Sequence, residues 1–163
     1  NTVTQRMAYP GCAAEVTVDG RNLKEGDYAG LCALQGDYGM IAVTKREGKW
    51  YLAVLTPGSE IIFGEKIATN EKNGKDWAAR AAENGCVRLR IEADFTRMKD
   101  CVTFWFYRQE DGKPWGEWVR IGSEHKLRFG LDHFTGCRFG LAVYATAETG
   151  GSADFSDFRY QFR

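Results

Sequence analysis

Residues Val87-Arg88-Leu89-Arg90-Ile91-Glu92-Ala93-Asp94-Phe95 alternate apolar and charged side chains without a break. A helix of 3.6 residues per turn would scatter those apolar groups around its circumference, whereas a pleated strand gathers them on one face. Val87, Leu89, Ile91, Ala93 and Phe95 therefore define a core face, and Arg88, Arg90, Glu92 and Asp94 line the other. Segments of the same kind recur at Ala14–Val18, Tyr28–Gln35, Tyr38–Lys45, Lys49–Leu55, Val102–Arg108, Trp118–Ile121, Lys126–Leu131, Arg138–Thr146 and Asp154–Phe162. Gly36-Asp37, Glu47-Gly48, Asp111-Gly112 and Thr149-Gly150-Gly151 punctuate them. Many short strands at hairpin spacing predict an all-β, antiparallel sandwich or barrel.

With 163 residues, no internal repeat and no low-complexity linker, residues 1–163 are expected to form a single domain. The polar stretch from Thr56 to Gly85 breaks the rhythm, with a strand expected at Glu60–Phe63 and a turn or two of helix at Asp76–Glu83. Lys and Arg number 22, as do Asp and Glu, so the net charge is zero. That removes the electrostatic case for nucleic acid or an anionic membrane as partner. No apolar run approaches the roughly 18 residues that cross a bilayer, and the N-terminus lacks a signal-peptide pattern. The five cysteines show no CxxC and no zinc-ligand spacing. They fit either reduced core thiols or one or two disulfides, with at least one cysteine left over.

The motifs of hydrolytic and phosphate chemistry are missing. There is no GxSxG, no Gly-rich loop opening a helix and no HExxH, and neither His125 nor His133 has a supporting motif. Glu92 and Asp94 stand two apart on one strand face, as a retaining glycosidase pair would. Arg88 and Arg90 beside them favour an ion-pair network instead. The aromatic residues carry more. In Phe104-Trp105-Phe106-Tyr107, alternation sends Phe104 and Phe106 to the core, with Phe95 and Phe139. Trp105 and Tyr107 then stand beside the Arg88, Arg90, Glu92 and Asp94 face of the neighbouring strand, and Tyr144 is expected to join them. Flat rings stack on the C–H faces of a sugar while Arg and carboxylates bind its hydroxyls. The alternative is an aromatic layer covered by a loop or a partner domain. Trp115 and Trp118, after the turn at Asp111-Gly112, are expected to pack the hairpin end.

Several segments together resemble one known domain: Asn1-Thr2-Val3-Thr4-Gln5-Arg6, Lys24-Glu25-Gly26-Asp27-Tyr28-Ala29-Gly30-Leu31, Tyr38-Gly39, Arg90-Ile91-Glu92-Ala93-Asp94-Phe95, His133-Phe134-Thr135-Gly136-Cys137-Arg138-Phe139-Gly140-Leu141, Tyr144-Ala145-Thr146, Gly150-Gly151 and Asp154-Phe155-Ser156-Asp157-Phe158. In order and over nearly the whole chain, they are similar to the C-terminal concanavalin A-like β-sandwich of family 43 glycoside hydrolases, the β-xylosidases and α-L-arabinofuranosidases. The resemblance implies a jelly-roll sandwich of two antiparallel sheets, one concave, excised from a larger enzyme and lacking its first strand or strands. The family's catalytic carboxylates lie on a preceding propeller domain, and nothing here matches it. The implied role is a non-catalytic module that binds xylan, arabinoxylan or another β-glycan through Trp105, Tyr107, Tyr144, Arg90, Glu92 and Arg88. The alternative is a structural accessory domain packed on the catalytic glycosidase domain of the same polypeptide, where it completes the active site. Related sandwiches hold a structural calcium, for which Asp154, Asp157 and Asp27 are the candidates by position. The implied location is secreted or at the cell surface, as part of a larger enzyme, with an intracellular site the alternative.

Overall fold

The computed structural model describes residues 2–63, 78, 82–109, 113, 116–129 and 136–163. Among these residues, eleven strands run β1 (Thr2–Arg6), β2 (Gly11–Asp19), β3 (Asp27–Leu34), β4 (Gly39–Arg46), β5 (Lys49–Thr56), β6 (Ser59–Phe63), β7 (Cys86–Asp94), β8 (Cys101–Gln109), β9 (Gly116–Lys126), β10 (Arg138–Ala145) and β11 (Asp154–Phe162). They form a six-stranded sheet in the order β1-β10-β3-β4-β5-β6 and a five-stranded sheet in the order β11-β2-β7-β8-β9. All of the pairings are antiparallel. This is the sandwich that the alternation predicts. Hairpins build β3 to β6 of one sheet and β7 to β9 of the other, and the chain crosses between the sheets after β1, β2, β6, β9 and β10.

The core lies between the sheets, where one alternate set from each strand meets. Leu89 and Ile91 of β7, Phe104 and Phe106 of β8, Leu31 of β3, Ile41 of β4 and Phe139 of β10 are at most 1% exposed. Each such side chain contributes about 1.5–3 kcal/mol by leaving water. A second apolar cluster, including Tyr28, Met40, Ala42, Ala53 and Leu55, occupies the outer face of the six-stranded sheet. All five cysteines are free thiols, four of them buried and Cys86 half-buried. Burial pushes the Cys32 thiol up to about 12 and those of Cys101 and Cys137 to about 11.

Two strand expectations change. β1 carries no apolar alternation, because all five of its residues are exposed at a sheet edge. Only its pairing with β10 makes it a strand. The strand expected at Trp118–Ile121 runs on to Lys126, and residues 127–129 of the segment expected at Lys126–Leu131 lie outside any strand. Gly122 lies between the two expected segments with φ +70°, and the register with β8 shifts between Val102 and Phe104. A bulge thus bends the strand where the sequence suggests a turn. The helical turns expected at Asp76–Glu83 fall for the most part outside the described residues, as do His133 and Trp115.

His125, on the core side of β9, is 9% exposed, with its Nε2 unpartnered. It hydrogen-bonds the Asp37 backbone and packs where a Cβ on Gly39 would stand. Burial lowers its pKa below the ordinary value, so the unfolded chain takes up that proton first. Stability is therefore expected to fall as pH drops below the unfolded histidine value of about 6.5. Urea unfolding at pH 7.5 and 5.5 checks this: His125→Gln should flatten the dependence, and an equally steep loss in the variant would show that another group carries it.

Candidate carbohydrate-binding face

The outer face of the five-stranded sheet collects the charged residues of β7 and the outward aromatics of β8. In register across the strands, Glu15 of β2 stands opposite Arg90, Arg90 opposite Trp105, and Trp105 opposite Arg120 of β9. One row along, Tyr107 stands opposite Trp118. Side chains so placed lie about 4.5–5.5 Å apart at Cβ and interact.

Ion pairs organise the β2–β7 half of this face. Glu15, 5% exposed, accepts from Arg88 Nη2 at 2.9 Å and from Arg90 Nη1 at 3.0 Å. Arg90 Nη2 also lies 2.8 Å from Glu92 Oε1, and Arg163 Nη1 donates to Glu92 Oε2 at 2.5 Å. The Arg90 guanidinium sits 5.5 Å from the Trp118 ring centre, and Tyr107 meets Trp118 edge-on at 5.4 Å. The Tyr107 hydroxyl accepts the Gly116 N–H at 2.7 Å. Arg88, Arg90 and Tyr107 are thus engaged within the protein, and Trp118 covers Arg90.

Trp105 differs. Its Nε1 donates to Thr103 Oγ1 at 2.9 Å, which fixes the indole while leaving the residue half-buried. Beside it opens a cleft of about 400 Å³ with Glu92, Thr103, Arg120, Glu124 and Arg163 among its lining residues. A fixed ring with hydroxyl, carboxylate and guanidinium groups around it can stack a sugar and bind its hydroxyls. Asp94 lines the same cleft, held down at about 2 by the Thr96 hydroxyl and backbone N–H and by Lys99. Glu92 is held between Arg90 and Arg163, and Asp94 by Thr96 and Lys99, so both carboxylates belong to the ion-pair network that the flanking arginines suggest.

Two sequence-level placements are corrected. Tyr144 lies on β10 of the other sheet, stacked on Tyr28 with ring centres 5.1 Å apart, and does not meet Trp105 or Tyr107. Tyr28 in turn bonds Glu60 and accepts from Arg46 Nη2 at 2.6 Å. The alternation of Tyr144 with Ala142 holds on that outer face; the insertion of β10 between β1 and β3 puts it on the opposite side of the sandwich. Nor do the three aspartates come together: Asp27 and Asp154 line one cleft of about 760 Å³, and Asp157 is not among its lining residues. Asp27, on β3, is 1% exposed and accepts the Lys24 N–H at 2.8 Å through Oδ2. Asp154 and Asp157 lie on β11, on either side of where its register with β2 shifts. Among the described residues, no group of three or more His, Cys, Asp or Glu is arranged to hold a metal ion.

The sequence reading missed Glu15, Thr103, Arg120, Glu124 and Arg163. A local signal existed for Arg120: a β8–β9 hairpin that pairs Gln109 with Gly116 puts Arg120 opposite Trp105 and Trp118 opposite Tyr107. For Glu15 and Arg163 there was none, because their partners are more than 70 residues away.

The family model of the β-xylosidase C-terminal concanavalin A-like domain matches residues 1–161. The chain belongs to this family. Among solved structures, a bifunctional GH43-CE protein of Bacteroides eggerthii is 32% identical with a TM-score of 0.76, covering 99% of this chain and 19% of that one. A GH43 glycoside hydrolase engineered to display both endo-xylanase and exo-arabinofuranosidase activity is 22% identical with a TM-score of 0.73, covering 100% and 31%. The xylan β-1,4-xylosidase of Bacillus halodurans C-125 is 20% identical with a TM-score of 0.62, covering 99% and 29%. A comparison with curated proteins gives no match. This family 43 C-terminal domain thus spans less than a third of each of these solved chains.

Proposed function

We propose that this domain is a non-catalytic accessory domain of a secreted or cell-surface family 43 glycosidase, and that it holds a xylan-type chain in the cleft beside Trp105. The cleft carries the reading, because it joins a fixed aromatic ring to several hydrogen-bonding groups on an open sheet face. In affinity electrophoresis, xylan should retard the protein. Trp105→Ala should weaken binding about tenfold, the loss expected of one stacked aromatic contact. Tyr144→Ala, on the other sheet, should leave binding unchanged. If the folded protein binds neither xylan, arabinoxylan nor a β-glucan, the reading fails.

A second reading, docking onto a catalytic domain, has its own observation. Tyr9, Met98 and Phe129 are 76%, 83% and 55% exposed. They stand on neighbouring loops, tied by the Phe95 N–H to Pro10 carbonyl bond and by the edge contact of Phe95 with Phe129. Arg97 and Met98 both have positive φ, a strained conformation that leaves Met98 in solvent. Apolar side chains concentrated at one end suit a protein partner. In the whole enzyme, Met98→Ser with Phe129→Ser should split one calorimetric transition into two; a single unchanged transition would count against docking at this end.

A further inference from the structure

Two arginines flank Trp105, in register on either side of it, and they differ in one respect. Arg90 is 9% exposed and committed to Glu15 and Glu92. Arg120 is exposed, and no ion pair or hydrogen bond joins its side chain to a described residue. Each carboxylate of the cleft already has a cationic partner: Glu92 pairs with Arg90 and Arg163, and Asp94 and Glu124 share Lys99. Arg120 is therefore the cation of this cleft that lacks a counter-ion among the described residues. A guanidinium presents a planar fork that takes a carboxylate through two parallel hydrogen bonds. Set beside a ring fixed by Thr103, that fork matches a sugar that carries its own carboxylate.

We infer that the cleft reads a uronic acid unit on its glycan, with the sugar ring on Trp105 and the carboxylate on Arg120. The inference rests on the glycan-binding reading above and adds the charge of the sugar. Zero net charge over the whole chain does not oppose it, since a carboxylate would be held by a local contact with the Arg120 fork and not by a long-range field.

Calorimetry with two probes, xylotetraose and xylotetraose bearing one glucuronic acid branch, tests it. The branched probe should bind about tenfold more tightly than the plain one at low salt, the gain expected of one charge-assisted contact, and the gap should narrow as salt rises. Arg120→Gln should remove the difference, lowering the branched probe's affinity about tenfold more than the plain probe's. Arg120→Lys should restore only part of it, because an ammonium lacks the fork. Equal binding of the two probes by the unmodified protein would overturn the inference and leave the glycan reading standing. Failure of both probes to bind would overturn both.

Discussion

Gly30→Ala is expected to cost more than about 4 kcal/mol, and the chain is expected to be recovered largely unfolded. Gly30 sits in the middle of β3, between Ala142 of β10 and Ala42 of β4. A Cβ there would lie 2.0 Å from the Ile41 carbonyl oxygen and 2.6 Å from the Ala42 Cα. Both obstacles are backbone, so no rotamer change relieves the clash, and β3 would have to part from β4 in the centre of the six-stranded sheet. Gly48→Ala is the matched comparison. At Gly48 no atom lies within 4 Å of the added Cβ, and only its φ of +74° opposes the change. That should cost about 1–2 kcal/mol, the ordinary penalty for the left-handed conformation. Urea unfolding followed by circular dichroism measures both, and similar losses for the two would show that the β3–β4 approach is looser than described.

Removing Glu15 should be the next most damaging change. Its carboxylate holds Arg88 and Arg90 together, and Arg90 lies under Trp118 with little access to water. Glu15→Ala would leave that guanidinium with Glu92 as its one remaining carboxylate. Breaking a buried pair by deleting one partner costs about 3–5 kcal/mol, mostly through the charge left behind. The low end is expected, because Arg90 keeps Glu92 and the Arg88 side chain is 25% exposed. The double variant Glu15→Ala with Arg90→Met separates lost charge compensation from lost packing. If charge dominates, the pair should be less destabilised than the sum of its single changes. Strict additivity would mean that the network is a surface feature of little energetic weight.

How far the sequence reached can be judged from particular residues. The nine-residue alternation of β7 located both of its faces, and Phe104 and Phe106 turned inward as their spacing required. Trp105 was found because its neighbours in sequence had to be core. Arg120 was within reach, since hairpin closure is local. β1 was out of reach because an exposed edge strand buries nothing and so carries no pattern. The bend of β9 was hidden because a bulge glycine and a turn glycine look alike in sequence.

The sequence by itself determined an all-β chain, the inward and outward side of most strands, and an aromatic and charged face on β7 and β8. Side-chain direction in a strand follows from a period of two, which any short window displays. The tertiary structure decided which strands share a sheet. It placed Tyr144 on the far side of the sandwich, brought Glu15 between Arg88 and Arg90 from 75 residues away, and left Arg120 without a counter-ion among the described residues while Arg90 was consumed. Those outcomes depend on long-range register, which no local pattern encodes, and they separate the residues that hold the face together from those that remain open to a ligand.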